Sequence, residues 1–262
     1  MRCRLFGLLM LLACSALAGG ALAEDGLEAS SPAASAVQAT PPQPRRFTLS
    51  FDDGPLPGKS DKVLAALAQL KTTDGQPVKA AFFMLADAPQ SFCSRRQHYA
   101  PYEIWTEKGS MRRYPELVEQ VRQAGHLIGN HSTHHAWFRW PWLQNEEAVE
   151  AEISQWEQIA GQADTPKLFR PPYLINTPAV QTAAGKLGYH TILGHTVGDA
   201  SPFAGKDSLQ QNILHILATA AAEEDPVVLI FHDIMPATYD NLYEIVDFLQ
   251  KNGHQLVSFT AP

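Results

Sequence analysis

Four short segments of this chain carry residue types whose spacing suits hydrolytic chemistry. Ser50-Phe51-Asp52-Asp53-Gly54-Pro55 sets two carboxylates where an apolar run breaks into a turn. Neighbours in a strand point to opposite faces, and a Gly-Pro turn relaxes this, so both carboxylates can reach one rim; an aspartate in this position also serves simply to cap a turn. His131-Ser132-Thr133-His134-His135 follows, with His131 and His135 four apart, a spacing at which one helical turn would aim both imidazoles the same way. Two imidazoles and one carboxylate, from Asp52 or Asp53, form a three-ligand face that leaves positions open on a divalent metal. His134 could replace His135 at spacing three, but reads better as a histidine outside the ligand set. Leu229-Ile230-Phe231-His232-Asp233 ends an apolar run with an imidazole suited to general-acid work, or to a buried structural hydrogen bond. Leu168-Phe169-Arg170-Pro171-Pro172-Tyr173 fixes a guanidinium that can hold an aspartate ionised, and the Tyr173 backbone N–H could meet a developing oxyanion.

The elements that must position these groups alternate between two periods. Strands are expected at 47–51, 79–85, 126–129, 167–169, 189–197, 227–231 and 255–259. Helical spacing appears between them, as in Val63, Leu64, Leu67 and Leu70 after Ser60, and in Leu242, Ile245, Val246 and Leu249 before Gly253. Strand–helix alternation predicts a parallel sheet, either a small distorted (β/α) barrel of about seven strands, TIM-barrel-like, or an open doubly wound sheet. Both architectures collect chemistry at the carboxyl ends of their strands. Asp52 and Asp53, the histidine trio, Arg170, Asp199 and His232 all follow expected strands, so five strand ends would converge on one rim.

The 262 residues are 45 % apolar and 18 % charged, which fits a folded domain with a sizeable core. A net charge of −7 argues against a grip on nucleic-acid phosphates. Residues 1–23 read as an export signal: Arg2 and Arg4, then Leu5 to Ala13, then Ala21-Leu22-Ala23, with an apolar run too short to span a bilayer. Without that segment the net charge falls from −7 to −9, because two arginines and no acids leave, and Cys93 alone of three cysteines remains. Residues 24–46, rich in Ala, Ser and Pro, read as a linker, leaving 47–262 as the body of the protein. The expected protein is exported to the periplasm or beyond, monomeric and without stable membrane insertion.

Taken together, Ser50–Pro55, His131–His135, Arg170–Tyr173 and Leu229–His232 resemble the motifs of the polysaccharide deacetylase (NodB-homology) carbohydrate esterases, over about residues 47–262. The resemblance implies a distorted barrel that removes N-acetyl, sometimes O-acetyl, groups from glycans. It further implies that Asp53, His131 and His135 hold a divalent metal, most often zinc, that Asp52 is the base oriented by Arg170, that His232 is the acid, and that Tyr173 contributes to the oxyanion hole. Three features depart from the family pattern. The fourth motif reads His195-Thr196-Val197-Gly198-Asp199-Ala200, with Asp199 as the candidate for the family's aspartate and its register open. Ala136 stands where proline is common. Residues 87–113 form an insertion carrying Phe92, Cys93, Tyr99, Tyr102 and Trp105 towards the rim, where insertions tend to set specificity; Trp137, Phe138, Trp140 and Trp142 add a second aromatic group, for sugar stacking or for packing. Two other readings are a glycan-binding protein without catalysis on the same scaffold, and an inverting glycosidase using Asp52 and Asp233.

Overall fold

The apolar runs pair into one parallel sheet because most are covered on both faces, the condition under which strands read as continuous hydrophobic stretches. In the computed structural model, which describes residues 43–161 and 167–262, the strands are β1 (Arg46–Asp52), β2 (Ala81–Met84), β3 (Leu127–Asn130), β4 (Leu168–Phe169), β5 (His190–Thr191), β6 (His195–Thr196), β7 (Val227–His232) and β8 (Gln255–Leu256). The hydrogen-bonded order is β5-β4-β3-β2-β1-β7-β6. Helices α1 (Ser60–Gln69), α2 (Phe92–His98), α3 (Pro115–Gln123), α4 (Glu146–Ala160), α5 (Pro178–Lys186), α6 (Lys206–Thr219), α7 (Pro236–Tyr239) and α8 (Leu242–Lys251) lie between the strands. The expected distorted (β/α) barrel is borne out as a curled sheet that stays open.

The most extensively paired strand is β1. It pairs with β7 along Phe47–Asp52 but with β2 only at Ser50–Asp52, so its first residues are left for β8 through Arg46↔Gln255 and Phe47↔Leu256. Leu49 and Phe51, with Leu229 and Phe231 of β7, pack against Val63 and Leu67 of α1, Leu209, Ile213 and Leu217 of α6, and the Leu242, Ile245, Val246 and Leu249 stripe of α8. A second apolar cluster joins Phe138, Val149, Ile153, Phe169, Val180 and Ala183 beneath α4 and α5.

Two expectations need correction. The single strand expected at 189–197 is two short ones, β5 and β6, which form the two ends of the sheet order. Between them the chain presses against β7, where a Cβ on Gly194 would sit 2.6 Å from the Val228 carbonyl oxygen, and the opening of the barrel falls here. The fold also begins before residue 47. Arg46 opens β1, and the Arg45 guanidinium donates to the carbonyls of Ala220, Ala221 and Glu224 at 2.9–3.0 Å, so the end of the expected linker is part of the domain. The export signal and residues 24–42 lie outside the described residues. Among the described residues, no helix is long and apolar enough to cross a membrane.

Candidate active site

The parallel register delivers polar groups to one rim. β1 ends at Asp52, directly opposite His232 of β7 and Phe83 of β2. Asp53 then takes φ 78°, a left-handed conformation costly for a non-glycine residue, and its N–H donates to the Phe83 carbonyl at 3.3 Å. The turn brings both carboxylates to the same histidine: His131 Nε2 is 3.9 Å from Asp52 Oδ2 and 3.6 Å from Asp53 Oδ1. Arg170, buried just after β4, donates through Nη1 to Asp52 Oδ1 at 2.7 Å and to Ser50 Oγ at 3.0 Å, and through Nε to the Ile192 carbonyl at 3.1 Å. Its guanidinium carbon lies 3.9 Å from the centroid of the Phe83 ring. One oxygen of Asp52 is thereby held, and the other faces His131.

His131 and His135 do converge, but not on a helix. Residues 131–137 form a loop after β3 in which Ser132 and His135 have φ 64° and 57°. The loop is held by its own polar side chains. Asn130 Oδ1 accepts from the Ser132 N–H at 2.8 Å and Ser132 Oγ from the Ala136 N–H at 3.1 Å. The buried carboxylate of Glu152 on α4 accepts from the Thr133 and His134 N–H groups at 3.2 and 3.0 Å. His134 points away from the aspartates, with Nδ1 2.8 Å from Glu152 Oε1 and its ring 4.5 Å from that of His98. The four-residue spacing therefore works through loop geometry rather than through helical period.

Asp53, His131 and His135 place one ligand atom each within 4.8 Å of the others. His135 Nε2 lies 3.1 Å from Asp53 Oδ1. His131 Nδ1–H donates to the Arg170 carbonyl at 2.8 Å and His135 Nδ1–H to the Tyr173 hydroxyl at 3.0 Å, which turns both Nε2 lone pairs towards Asp53. Asp53 Oδ1 is buried without a hydrogen-bond partner. Such an orphaned oxygen, facing two imidazole lone pairs, fits a divalent ion. Burial pushes the His131 pKa down to about 4 despite the opposing pull of Asp52 and Asp53, so the imidazole is neutral and able to ligate at neutral pH. Burial would raise the Asp53 carboxyl, but the Lys108 ammonium reverses this and leaves it well below the ordinary carboxylate range.

Across the rim, Asp199 sits on His232. Its Oδ1 accepts from His232 Nδ1 at 2.8 Å, and its Oδ2 accepts from the His232 N–H and the Thr238 hydroxyl, both at 2.6 Å. Burial alone would lower the His232 pKa; Asp199, with help from Asp53 and Asp52, overrides it and lifts the value to about 10. Asp233 is buried beside Ser60, whose hydroxyl donates to Oδ2 at 2.6 Å, and burial lifts its carboxyl to about 7.

Two groups at the site escaped the sequence reading. Lys108 and Glu103, both in the 87–113 insertion, enter the Asp53–His131–His135 cluster: Lys108 Nζ is 2.5 Å from Asp53 Oδ2 and 3.3 Å from Glu103 Oε2. The insertion's place directly after β2, the neighbour of β1, was the only signal available. Tyr173, with φ 58°, contributes its hydroxyl, which accepts from His135 and from the Ala100 N–H at 2.9 Å. The aromatic group after the histidines anchors the insertion, since Trp140 and Trp142 donate through Nε1 to the carbonyls of Tyr99 and Gln97, both at 3.1 Å. Tyr102 and Trp105 remain 72 % and 76 % exposed at the rim.

Comparison with known proteins agrees with this arrangement. The sequence profile of the polysaccharide deacetylase family matches residues 39–192. A peptidoglycan-N-acetylglucosamine deacetylase of Bacillus cereus is 27 % identical over 216 residues, covering 81 % of this chain and 85 % of that protein. Among solved structures, a family 4 carbohydrate esterase from Streptomyces lividans superposes with a TM-score of 0.58 at 24 % identity, over 84 % of this chain and 94 % of the esterase. The peptidoglycan deacetylase PdaC from Bacillus subtilis gives 0.56 at 23 % identity, over 83 % and 89 %. At these identities the structures establish the shared fold.

Proposed function

We infer, because this chain belongs to the polysaccharide deacetylase family, that it is an exported hydrolase removing acetyl from the N-acetylglucosamine units of a glycan. The single observation that carries this reading is the pair of roles built at one strand end: Asp53 Oδ1 left without a partner between two imidazoles, and Asp52 held beside it by Arg170. The export signal read from residues 1–23 supports action outside the cytoplasm, and an acidic chain suits a neutral or weakly charged glycan better than an anionic one.

A divalent ion, proposed as zinc and held by Asp53 Oδ1, His131 Nε2 and His135 Nε2, would supply Lewis acidity for the amide carbonyl and the attacking water. The rest of the chemistry belongs to the chain. Asp52, held by Arg170 through Oδ1, accepts the proton of the attacking water through Oδ2. The Tyr173 N–H donates to the oxyanion that forms on the acyl carbon. His232, cationic beside Asp199, gives its proton to the sugar nitrogen as the C–N bond breaks. Water has then contributed hydroxide to the acyl carbon, and the products are acetate and a free amino sugar.

Acetate release from N-acetylated chitin oligomers and peptidoglycan fragments, with zinc added, tests the reading. Release that a chelator stops and Asp52→Asn abolishes is the expected result. Glycan binding without acetate from any substrate would favour a binding protein, and chelator-resistant formation of new reducing ends would favour a glycosidase.

A further inference from the structure

Among the described residues, Lys108 is the one cation that touches a member of the ligand trio and has no role in the mechanism above. Its side chain is 1 % exposed, so no substrate reaches it, and its ammonium is enclosed by Asp53, Glu103 and the face of Tyr99, whose ring centroid is 5.8 Å away. The segment that carries it is stitched to the ends of β1 and β2. Gly109 N–H donates to the Asp53 carbonyl at 2.8 Å, Ser110 N–H to Pro55 at 3.1 Å, Met111 N–H to Leu85 at 2.9 Å and Arg112 N–H to Ala86 at 3.0 Å. This contact requires a glycine, because a Cβ on Gly109 would lie 2.4 Å from the Gly54 carbonyl carbon and 2.5 Å from the Pro55 oxygen. The backbone therefore fixes where Lys108 leaves the chain, and its burial among Asp53, Glu103 and Tyr99 holds the ammonium there.

We propose that Lys108 is a positioning residue that opposes the metal for the charge of Asp53, holding Oδ2 so that the carboxylate ligates through Oδ1 alone and weakening metal affinity in exchange for a more electrophilic, less crowded ion. This role for Lys108 presupposes the metal site proposed above and follows from a count of charges. Asp52 is matched by Arg170 and Asp199 by His232, while Asp53 and Glu103 share the single Lys108. The cluster is thus one unit negative, and a divalent ion leaves it one unit positive; without Lys108 the loaded site would be neutral. A carboxylate with one oxygen fully engaged by an ammonium also cannot close on the ion with both oxygens, which would occupy a position that substrate and water need. The insertion is therefore part of the metal site itself, in addition to forming rim.

Charge opposition makes a prediction opposite in sign to structural damage, which loosens metal binding. Zinc affinity of the purified protein is measured by competition with a chromophoric chelator, alongside zinc content and circular dichroism. Lys108→Met is expected to bind one zinc about tenfold or more tighter than the wild type, with kcat lowered, and Lys108→Arg to stay near the wild-type affinity. Glu103→Gln, which removes the second anion beside Lys108 and 3.6 Å from His135 Nδ1, is expected to bind zinc about tenfold more weakly. If methionine prevents folding, Lys108→Gln carries the same expectation. A folded Lys108→Met or Lys108→Gln protein with unchanged or weaker zinc affinity overturns the proposal while leaving the metal site intact. A wild-type protein that binds no zinc, or a His131→Ala variant that keeps its zinc, instead overturns the reading on which the proposal rests.

Discussion

Replacing Asp199 by asparagine removes the countercharge of His232 while keeping an oxygen in place. The His232 pKa stands at about 10 against an ordinary 6.5, a difference equivalent to on the order of 5 kcal/mol in favour of the cation. Coulomb's law for the 2.8 Å contact, at an effective dielectric constant of about 20, gives about 6 kcal/mol, so two routes agree on the scale. Because the folded-state pKa is raised, the stabilisation is complete below pH 6.5 and is lost as the pH rises through about 10. The Asp199 carboxyl, which burial would raise but His232 depresses below its ordinary 3.8, describes the same pair from the acid side, where stability is lost as the pH falls through that lowered value. Chelated, metal-free protein followed by urea unfolding from pH 5 to pH 11 should therefore show Asp199→Asn several kcal/mol less stable near pH 6, with the gap closing towards pH 10. The lost Thr238 and backbone hydrogen bonds add an offset that does not vary with pH, so the diagnostic is the change in the gap. In turnover, the alkaline limb of the kcat/KM profile should move to lower pH, since the imidazolium is deprotonated more easily. A gap of the same size at pH 6 and pH 11 would refute the electrostatic account of this pair.

Three further expectations concern the parts that hold the site together. Tyr173→Phe removes the hydroxyl that fixes His135 and accepts from the Ala100 N–H, and zinc affinity measured by chelator competition should fall about tenfold. Gly109→Ala forces a methyl group into the Gly54–Pro55 backbone and should cost about 2–3 kcal/mol or more in denaturant unfolding, with loss of metal as the loop lifts. A protein beginning at Phe47 loses the Arg45 bonds to Ala220, Ala221 and Glu224 as well as the first residue of β1, and should be about 1–3 kcal/mol less stable than one beginning at Gln43.

Much of this site was legible in the chain because parallel strands end together. Once Phe47–Phe51 and Val227–Phe231 read as buried strands, Asp52 and His232 had to emerge on the same side, and the register Asp52↔His232 puts them opposite each other. The Asp-Asp pair, the two histidines four apart and the arginine before two prolines are local patterns, visible to anyone counting residues. What the local pattern could not convey was the means of convergence. A helix was the expected device for His131 and His135, yet a loop with two left-handed residues, tied down by Asn130 and Glu152, does the aiming. Asp199, whose register was open in the sequence, reaches His232 because Val197 and Gly198 carry the chain past β7 after β6 has already ended.

Lys108 marks the boundary between the two kinds of information. Fifty-five residues separate it from Asp53, and the intervening insertion has one short helix and no repeating period that would reveal where its end returns. Sequence by itself determined where most strands lie and which residue types reach the rim, because those follow from alternation and burial, while the choice of Asp53 over Asp52 beside His131 and His135 came with the family resemblance. Tertiary structure alone decided which charges face one another there, because that depends on the long-range folding of the insertion across the end of β1, where backbone hydrogen bonds to Asp53 and Pro55 place an ammonium against the Asp53 carboxylate.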